Sequence, residues 1–584
     1  MNNDYPAGNK SRHNSFVFHW EFIPLFLIAF VIPIIVLRIP VAYPAEMRSF
    51  IVTAKGYDDY FHLIKVWVLY AASFMLFLAF LLKKGETLPR VFTVFIPYIS
   101  LLILSVCFSK TIVTSVFGLA DHYEGGLTQI CYALVLIFSC CFAQSEDRIL
   151  IAVKFVLWGA AAVALIGLLQ LAGSPLISSL IPGGGLQYTS FQGKTDISGI
   201  TSTIGNSNYT GTYAVLLMPL SVLMVLREKR LLQKVFSLII YFGSAVFLLL
   251  GSLSRAAYIS FLAVCPMMVI FFWKSLKKQV LWVLAALLYT CFIFIAMNAA
   301  TEGILLKEVK NLNPFAMKIS EGSKLVFHDI RLNEDSAVIE TNQWTLVVQS
   351  EYNGFRLEDE AGNLIPSVFD ENSQSLMLTE KTYENIRAWI QKKDEVQWIL
   401  LEMGEKDIEF VHTGESMKVV GFNSVLTDIV PIKTFMGIQN ESFASGRGYI
   451  WSRSIPLLKN ALLWGYGPDT FAYIFPQNDI VGKLNYGSIW VIIGKPHNWY
   501  LQVALGSGIL SLACLLIFFG WLMIKTILLH LRSVQGERAL TAFAVLASVI
   551  GYLIISIFND SVVSVSPILW MLCGFGVRLA QPVH

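Results

Sequence analysis

Residues 495–508, KPHNWYLQVALGSG, place a histidine, an asparagine and two aromatic side chains directly before an apolar run. His497 is a candidate general base, because an imidazole changes its charge close to neutral pH. Trp499 and Tyr500 offer flat faces for sugar rings, although both residue types also anchor helices at membrane interfaces. The stretch therefore marks a candidate site at the border of a membrane-like segment.

Further polar clusters stand at similar borders, in the stretches TIGNSNYTG, GSLSR, SGRGYIWSR and FNDS. Their candidate residues are Asn206, Asn208, Arg255, Arg447, Arg453 and Asp560. Arginine stays charged and presents a planar fork of donors that fits phosphate oxygens. Two or three arginines at headgroup depth suit a lipid-linked phosphate or pyrophosphate. A hydroxyl could then attack the anomeric carbon of a lipid-pyrophosphate sugar while His497 accepts its proton.

Each candidate also has a structural interpretation that the residues leave open. The alternatives are a snorkelling anchor for Arg255, an interfacial hydrogen-bonding group for His497, helix caps for Asn206 and Asn208, a turn residue for Asp560, a solvated face for Arg447 and Arg453, and interfacial anchors for Trp499 and Tyr500. The predicted topology places all of these residues at a common depth in the membrane, and this favours a shared site. Ionisable groups near hydrocarbon are costly and are therefore functional candidates.

The elements that would position these residues are long apolar runs. The chain has 584 residues, of which 55% are hydrophobic and 14% are charged, against about 25% charge in a typical soluble domain. Most runs are long enough to cross roughly 30 Å of hydrocarbon as a helix. We predict about 12 transmembrane helices, near residues 22–43, 62–82, 91–108, 127–143, 149–172, 209–226, 235–251, 256–273, 279–297, 499–525, 539–558 and 562–580.

Basic clusters in the short loops predict the orientation, because Lys and Arg mark the cytoplasmic side. The clusters are Lys10/Arg12, Lys83/Lys84/Arg90, Arg227/Lys229/Arg230/Lys234, Lys274/Lys277/Lys278 and Lys525/Arg532/Arg538. All fall on one side when twelve spans are counted, so both termini are predicted to be cytoplasmic. The polar first 15 residues predict an uncleaved anchor rather than a signal peptide. The candidate site residues then share the extracytoplasmic side.

The chain divides into four predicted regions. Residues 1–297 carry the first nine helices, 298–445 form an inserted extracytoplasmic α+β domain, 446–498 form a loop with surface helices, and 499–584 carry the last three helices. Alternation in WTLVVQS (344–350) predicts strands. EKTYENIRAWIQKK (380–393) has helical spacing. The fold class is therefore an all-α polytopic membrane protein with an inserted α+β domain.

Charge and cysteine usage exclude several classes. Residues 302–446 contain 24 acidic and 13 basic residues, and the rest of the chain contains 16 acidic and 30 basic residues. This pattern lacks the basic footprint of nucleic-acid binding. The eight cysteines lie in or beside apolar runs without CxxC or Cys/His spacing, so no metal and no cofactor is predicted.

The runs GNSNYTGTYAVLLMPL, SLSRAAYISFLA, RGYIWSRSIPLLKNALLWGYGPDTF and HNWYLQVALGSGILSLACLL follow one another in this order. In residues, order and predicted side, the chain resembles the O-antigen ligase / O-antigen polymerase superfamily over roughly 200–297 and 446–525. The resemblance implies a metal-independent, inverting glycosyl transfer from undecaprenyl pyrophosphate at the outer face of the cytoplasmic membrane, within a GT-C-like fold. It leaves the acceptor open, as a glycan, a lipid or a protein, and it includes membrane lipid among the partners.

The resemblance also assigns roles by position. His497 corresponds to the essential loop histidine, and Arg255 to an arginine that opens a span in an R-x3-L-like pattern, where this chain has Ile259 instead of leucine. Arg447 or Arg453 corresponds to the loop arginine that contacts pyrophosphate, and the motif does not choose between them. Asn206, Asn208, Tyr500 and Asp560 complete the predicted set of substrate-binding residues.

Three functions follow from these observations. The first is a glycan ligase, or alternatively a polymerase that extends lipid-linked repeats. A transporter or flippase would place ionisable residues near the middle of the membrane, whereas here they cluster at the ends of the spans. A membrane-anchored sensor would not need twelve spans.

Overall fold

The computed structural model describes residues 20, 22–49, 55–82, 88–173, 199–312, 325–352, 354–393, 396–438, 440–532 and 536–581. The basic residues Lys10, Arg12, Lys83 and Lys84 and parts of the loops 44–61 and 173–208 lie outside these described residues. Within them, the chain is mostly helical and carries one region rich in β-strands.

The helices follow the apolar runs. In chain order they are α1 Phe22–Ile34, α2 Leu63–Leu82, α3 Arg90–Cys107, α4 Ile112–Phe117, α5 Gly126–Phe142, α6 Glu146–Leu171, α7 Ser207–Arg227, α8 Leu231–Gly251, α9 Arg255–Lys278, α10 Val280–Ala300, α11 Ile304–Lys310, α12 Phe443–Ser454, α13 Phe471–Ile474, α14 Ile480–Tyr486, α15 Trp499–Ser507, α16 Ile509–Arg532, α17 Glu537–Ile555 and α18 Ser566–Leu579. In the described ranges nine of them, α2, α3, α6–α10, α16 and α17, are long and apolar enough to cross a membrane, and α1, α5 and α18 are shorter apolar helices. The count of twelve spans and the GT-C-like class stay predictions.

The predicted span 499–525 is wrong at its start. α15 ends at Ser507, Gly508 adopts φ 102° and ψ 155°, and α16 begins at Ile509. This conformation is essentially restricted to glycine. A Cβ atom on Gly508 would lie 2.1 Å from the carbonyl oxygen of Leu463. The long helix therefore starts at Ile509, and α15 is a separate short helix.

The centre of the helical bundle is α7, whose apolar window is almost entirely buried, whereas α10 leaves most of its window exposed. Small residues allow the neighbouring helices to approach it closely. A Cβ on Gly211 would lie 2.8 Å from Cβ of Ala257 in α9, and a Cβ on Gly551 of α17 would lie 2.7 Å from Cγ1 of Val215. α7 thus brings α9 and α17 together. α9 begins at the candidate residue Arg255, and α17 ends at Ile555, shortly before the candidate residue Asp560.

The two ends of α7 differ in chemistry. At its C-terminal end, Arg227 contacts Glu146 and donates to Glu537 at 2.8 Å and to Thr541 at 3.0 Å. The N-terminal end begins at the cap residue Asn206. The basic cluster that predicts the cytoplasmic side therefore lies at the end opposite to the candidate site.

The inserted region consists of antiparallel strands, and a two-stranded ribbon precedes α2. The strands are β1 Ile39–Ala42, β2 Gly56–Asp59, β3 Phe327–Leu332, β4 Ser336–Thr341, β5 Thr345–Glu351, β6 Gly354–Glu358, β7 Ser367–Asp370, β8 Ser375–Leu378, β9 Ile386–Lys393, β10 Val396–Met403, β11 Lys406–His412, β12 Met417–Val420 and β13 Leu426–Thr427. β3–β6 form a four-stranded sheet and β7–β13 a seven-stranded sheet, each with sequential neighbours.

The helix predicted over residues 380–393 is wrong, because Ile386–Lys393 forms β9. Its alternate residues Ile386 and Ala388 are buried, and Ala388 pairs with Leu401 of β10. Strand pairing and burial override the local helical spacing. The described residues between 325 and 438 contain no helix, and within the predicted insertion 298–445 the helix α11 precedes the strands.

The two sheets share one apolar core, to which Leu346 and Ile399 contribute from opposite sheets. α14 adds Ile480 and Leu484 to the same core. The side chain of Asn485 further joins α14 to the backbone of β3, with bonds of 2.8 and 2.9 Å. The β-region is thereby attached to the segment that leads directly to the stretch containing His497.

The break at Gly508 gives a testable prediction. Gly508→Ala should lower the free energy of unfolding by about 2 kcal/mol or more, because the left-handed backbone and the nearby carbonyl exclude a Cβ. The matched control is Gly520→Ala in α16, where a Cβ meets nothing within 4 Å and alanine favours the helix. The measurement is the thermal unfolding midpoint in detergent, and equal midpoints for the two variants would contradict the prediction.

Candidate functional site

Three helices begin at one end of the bundle, each at a residue whose side chain caps it. Asn206, Ser254 and Asn498 accept hydrogen bonds from backbone N–H groups in the first turns of α7, α9 and α15. Such caps fix where a helix starts. The Oδ1 atom of Asn208 accepts from the Ser254 hydroxyl at 3.0 Å and ties the first turns of α7 and α9 together. In this structure Asn206 is a cap.

His497 stands beside a buried carboxylate. Its Nδ1 lies 3.0 Å from Oδ2 of Asp560; the imidazole is 41% exposed and the Asp560 side chain is 0% exposed. The other oxygen of Asp560 accepts from the backbone N–H of Asn498 at 3.1 Å. With Nδ1 protonated and donating to the carboxylate, the neutral ring leaves Nε2 as an acceptor. His497 also has φ 48°, a strained conformation for a residue with a side chain.

Neighbouring side chains keep the carboxylate ionised. Burial alone would raise the pKa of Asp560, but His497, Lys495 and His122 lower it overall. Lys495 is itself buried, and its Nζ lies 3.3 Å from the hydroxyl of Tyr209. Burial would lower the pKa of Lys495, but Tyr209 and Asp560 raise it overall. At neutral pH the site therefore holds a buried anion and a buried cation.

The two loop arginines have different surroundings. Arg453 is buried; it donates to Asp479 at 2.8 Å and contacts Glu441, so two carboxylates balance its charge. This arrangement excludes a solvated face for Arg453. Arg447 donates to the carbonyl of Phe558 at 2.7 Å and also contacts Asn559. Among the residues that the structure describes, no carboxylate lies within ion-pair distance of Arg447, which leaves its charge available to an anion.

Arg255 lies at the same end of the bundle. Its guanidinium donates to both oxygens of Glu308 in α11, at 2.6 and 3.3 Å. The preceding residue, Ser254, contacts Asn208, and the Asn208 carbonyl accepts from the Asn559 side chain at 3.3 Å. Asn559 adjoins Asp560, the partner of His497. A continuous path of polar contacts thus connects the segments that carry Arg255 and His497.

The aromatic residues after His497 are engaged within the protein. The Tyr500 hydroxyl donates to the carbonyl of Leu553 at 2.7 Å and ties α15 to α17. Trp499 is buried, and its backbone N–H donates to the carbonyl of Ser556 at 2.9 Å. Both contacts position the start of α15, and a role of Tyr500 in substrate binding stays a prediction.

An apolar cavity of about 480 Å³ lies between α7, α8, α9 and α10. Its lining includes Tyr258, one turn after Arg255, and Val309, directly after Glu308. The Arg255–Glu308 pair therefore borders one end of a cavity that is lined almost entirely by aliphatic and aromatic side chains. A hydrocarbon chain fits such a lining.

Lys495, Tyr209 and His122 were not among the predicted site residues. Lys495 could have been selected from the sequence, because it is an ionisable residue two positions before His497, at the border of an apolar run. The other two have no local signal, because Tyr209 is 286 residues from Lys495 in the chain. The Nδ1 atom of His122 lies 3.3 Å from Asp469, which is 347 residues away.

The segment from β12 to α16 carries Arg447, Lys495 and His497, and comparison with known families gives it a counterpart. Residues 414–516 match the family model described as O-antigen ligase. This segment of the chain is similar to O-antigen ligases. The comparisons with curated proteins and with solved structures gave no match. Arg255 and Asp560 lie outside the matched segment.

The match over residues 414–516 supports an enzyme of glycan biosynthesis, of the ligase or polymerase type. The structure surrounds the matched segment with groups that suit this chemistry. A histidine oriented by a carboxylate can accept a proton. An arginine without a carboxylate partner and a buried lysine can stabilise negative charge on a leaving group.

The different surroundings of the two loop arginines predict different defects. Arg453→Gln should lower the free energy of unfolding by about 3–5 kcal/mol, because it leaves the buried carboxylate of Asp479 without a cation. Arg447→Gln should lower it by about 1 kcal/mol, because it removes mainly contacts with backbone carbonyls. Thermal unfolding in detergent measures both variants. A larger loss of stability for the Arg447 variant would contradict the assignment.

Proposed function

We propose that this protein moves a glycan from an undecaprenyl-pyrophosphate donor to an acceptor hydroxyl on the outer face of the cytoplasmic membrane. The observation that carries the proposal is the His497–Asp560 pair beside Arg447 and Lys495. This arrangement places a base next to two cations that form no direct ion pair with a carboxylate, among the described residues.

His497 is the proposed base. The Asp560 carboxylate receives the Nδ1 proton and fixes the tautomer, so that Nε2 faces the partly exposed side of the ring and accepts the proton of the attacking hydroxyl. The acceptor oxygen forms a bond to the anomeric carbon as the bond to the pyrophosphate oxygen breaks. A single displacement of this kind inverts the configuration at the anomeric carbon.

Arg447 and Lys495 are the proposed contacts for the leaving pyrophosphate. Both lie on the side of Asp560 and Asn559, and a phosphate would gain charge-assisted hydrogen bonds from them. Because these side chains supply the positive charge for the leaving group, the transfer step is proposed to be metal-independent. Arg453 is left out of the contact set, because its charge is already balanced by Glu441 and Asp479.

Arg255 and the apolar cavity suggest how the donor lipid is held. The polyprenyl chain would occupy the cavity between α7 and α10, with its phosphate end near the Arg255–Glu308 pair. Phosphate oxygens would then share or replace the bidentate contact that Glu308 makes with Arg255. Asn206 and Asn208, at the first turn of α7, are the remaining proposed contacts with the donor.

A ligase and a polymerase use the same donor chemistry and differ in the acceptor that receives the glycan. We propose the ligase, in which the glycan leaves the lipid for an acceptor, with the polymerase as the alternative. The antiparallel β-region is proposed to recognise the acceptor, since α14 attaches it to the segment that leads to His497. In this orientation both termini are cytoplasmic and the β-region is extracytoplasmic.

The base assignment predicts that His497→Gln and Asp560→Asn each reduce glycan transfer by about 10²–10⁴-fold, the usual contribution of a general base. The control is His328→Gln, an exposed histidine on β3. The measurement is transfer in vitro from a purified lipid-linked donor, with thermal unfolding to verify folding. A transfer rate of the His497 variant within threefold of the control variant, a difference of about 0.6 kcal/mol in activation free energy, would contradict the role.

The choice of ligase predicts the product. With purified lipid-linked donor and a membrane fraction as the acceptor source, we expect labelled glycan to appear on a molecule without polyprenyl pyrophosphate. The measurement is lipid extraction followed by electrophoresis of the labelled glycan. Longer chains that stay on the polyprenyl lipid would instead identify a polymerase.

A further inference from the structure

Three polar side chains meet near the start of α2, away from His497. Asp59 ends β2, His62 precedes the first residue of α2, and Asp121 lies in the loop between α4 and α5. One ligand atom from each residue lies within 4.8 Å of those from the other two. We propose that Asp59, His62 and Asp121 bind one divalent transition-metal ion, Zn²⁺ or Mn²⁺.

An unpaired atom supports a ligand in this group. Asp59 is 1% exposed and His62 is 8% exposed. Oδ2 of Asp59 is buried and has no hydrogen-bond partner. Native proteins rarely leave buried polar atoms unpaired, and an ion or water usually explains the exceptions.

The Asp59 carboxylate is held in a fixed position. Its Oδ1 accepts from the backbone N–H groups of His62 at 3.0 Å and Leu63 at 2.9 Å. This arrangement caps α2 with one oxygen and leaves the second oxygen for another partner. A carboxylate whose orientation is already set loses little freedom when it binds a cation.

The spacing of the other two ligands also fits a metal ion. Nδ1 of His62 lies 3.2 Å from Oδ1 of Asp121. Two nitrogen or oxygen ligands of a tetrahedral zinc ion are about 3.4 Å apart, since each lies about 2.1 Å from the metal. One imidazole with two carboxylates is a donor set that suits Zn²⁺ or Mn²⁺, whereas Ca²⁺ takes oxygen ligands alone.

Direct contacts with basic side chains do not account for this group. In the described part of the chain, no lysine or arginine forms an ion pair with Asp59 or Asp121. The nearby Lys65 is directed elsewhere, because its ammonium contacts the carbonyl of Thr203 and the hydroxyl of Ser564.

The ion would brace the loops that carry the candidate site. His122, next to Asp121, contacts Asp469, and a Cβ on Gly494 would lie 3.4 Å from its Cε1. The Phe61 side chain, next to His62, packs against Gly205 with 3.0 Å to the position of a Cβ. The bound ion would thereby support the segments that lead to His497 and to Asn206, without contact with the reacting atoms.

The test is the metal content of the full chain. The protein is purified through a tag without histidine from medium that contains zinc and manganese, and its metals are counted by mass spectrometry. We expect about one ion per chain in the wild type, and less than about 0.1 in Asp59→Asn and His62→Gln. The matched control is Asp58→Asn, which removes only an exposed pair with Arg38 and should keep the ion.

A second measurement does not depend on the variants being folded. After treatment with EDTA, wild-type protein is titrated with Zn²⁺, Mn²⁺ or Ca²⁺, and its thermal unfolding midpoint is recorded. We expect Zn²⁺ or Mn²⁺ to raise the midpoint, because an ion that binds only the folded state stabilises it. Three results would overturn the proposal: no metal and no shift, a shift with Ca²⁺ alone, or equal metal content in Asp59→Asn and the wild type.

Discussion

The candidate site depends on one buried anion. Asp560 has no exposed side-chain surface, yet it accepts from the backbone of Asn498 and lies 3.0 Å from Nδ1 of His497. An ionised carboxylate in such a place is stable only when cations and hydrogen bonds replace its water. Lys495 and His497 supply them. The same interaction that balances the anion therefore also orients the proposed base.

Around this anion, some cations pair directly with carboxylates and others do not, among the described residues. Arg453 and Arg255 each bind carboxylates directly, and both pairs join parts of the chain that are distant in sequence. Arg447 binds backbone carbonyls and an amide instead. Lys495 lies on a tyrosine hydroxyl. An anionic substrate would be attracted to Arg447 and Lys495. This difference favours Arg447 over Arg453 as the loop arginine that contacts pyrophosphate, a choice that the motif left open.

Composition and periodicity were sufficient to predict the long helices and some of the strands, such as β5, because burial in a membrane or in a sheet leaves a direct pattern of apolar residues. They failed where a local pattern competes with distant pairing. Residues 380–393 have Ile386, Trp389 and Ile390 at helical spacing, but they pair with β10. The break at Gly508 is hidden within an apolar run, and only the approach of Leu463 requires it.

The site was predicted as a set of residues at one depth, and the structure adds which of them touch. The His497–Asp560 pair joins residues 63 positions apart, and Lys495–Tyr209 joins residues 286 apart. A single sequence contains no signal for such pairs. The cap at Asn206 was easier to foresee, because capping follows from residues within three positions.

The most direct test of the central claim is a cryo-electron microscopy structure of the full chain with its lipid-linked glycan donor. The proposed function predicts the pyrophosphate within about 4 Å of Arg447 and Lys495, the lipid in the cavity between α7 and α10, and Nε2 of His497 facing the anomeric carbon. A pyrophosphate bound at the Arg227 end of the bundle, or a donor whose sugar lies out of reach of His497, would contradict it.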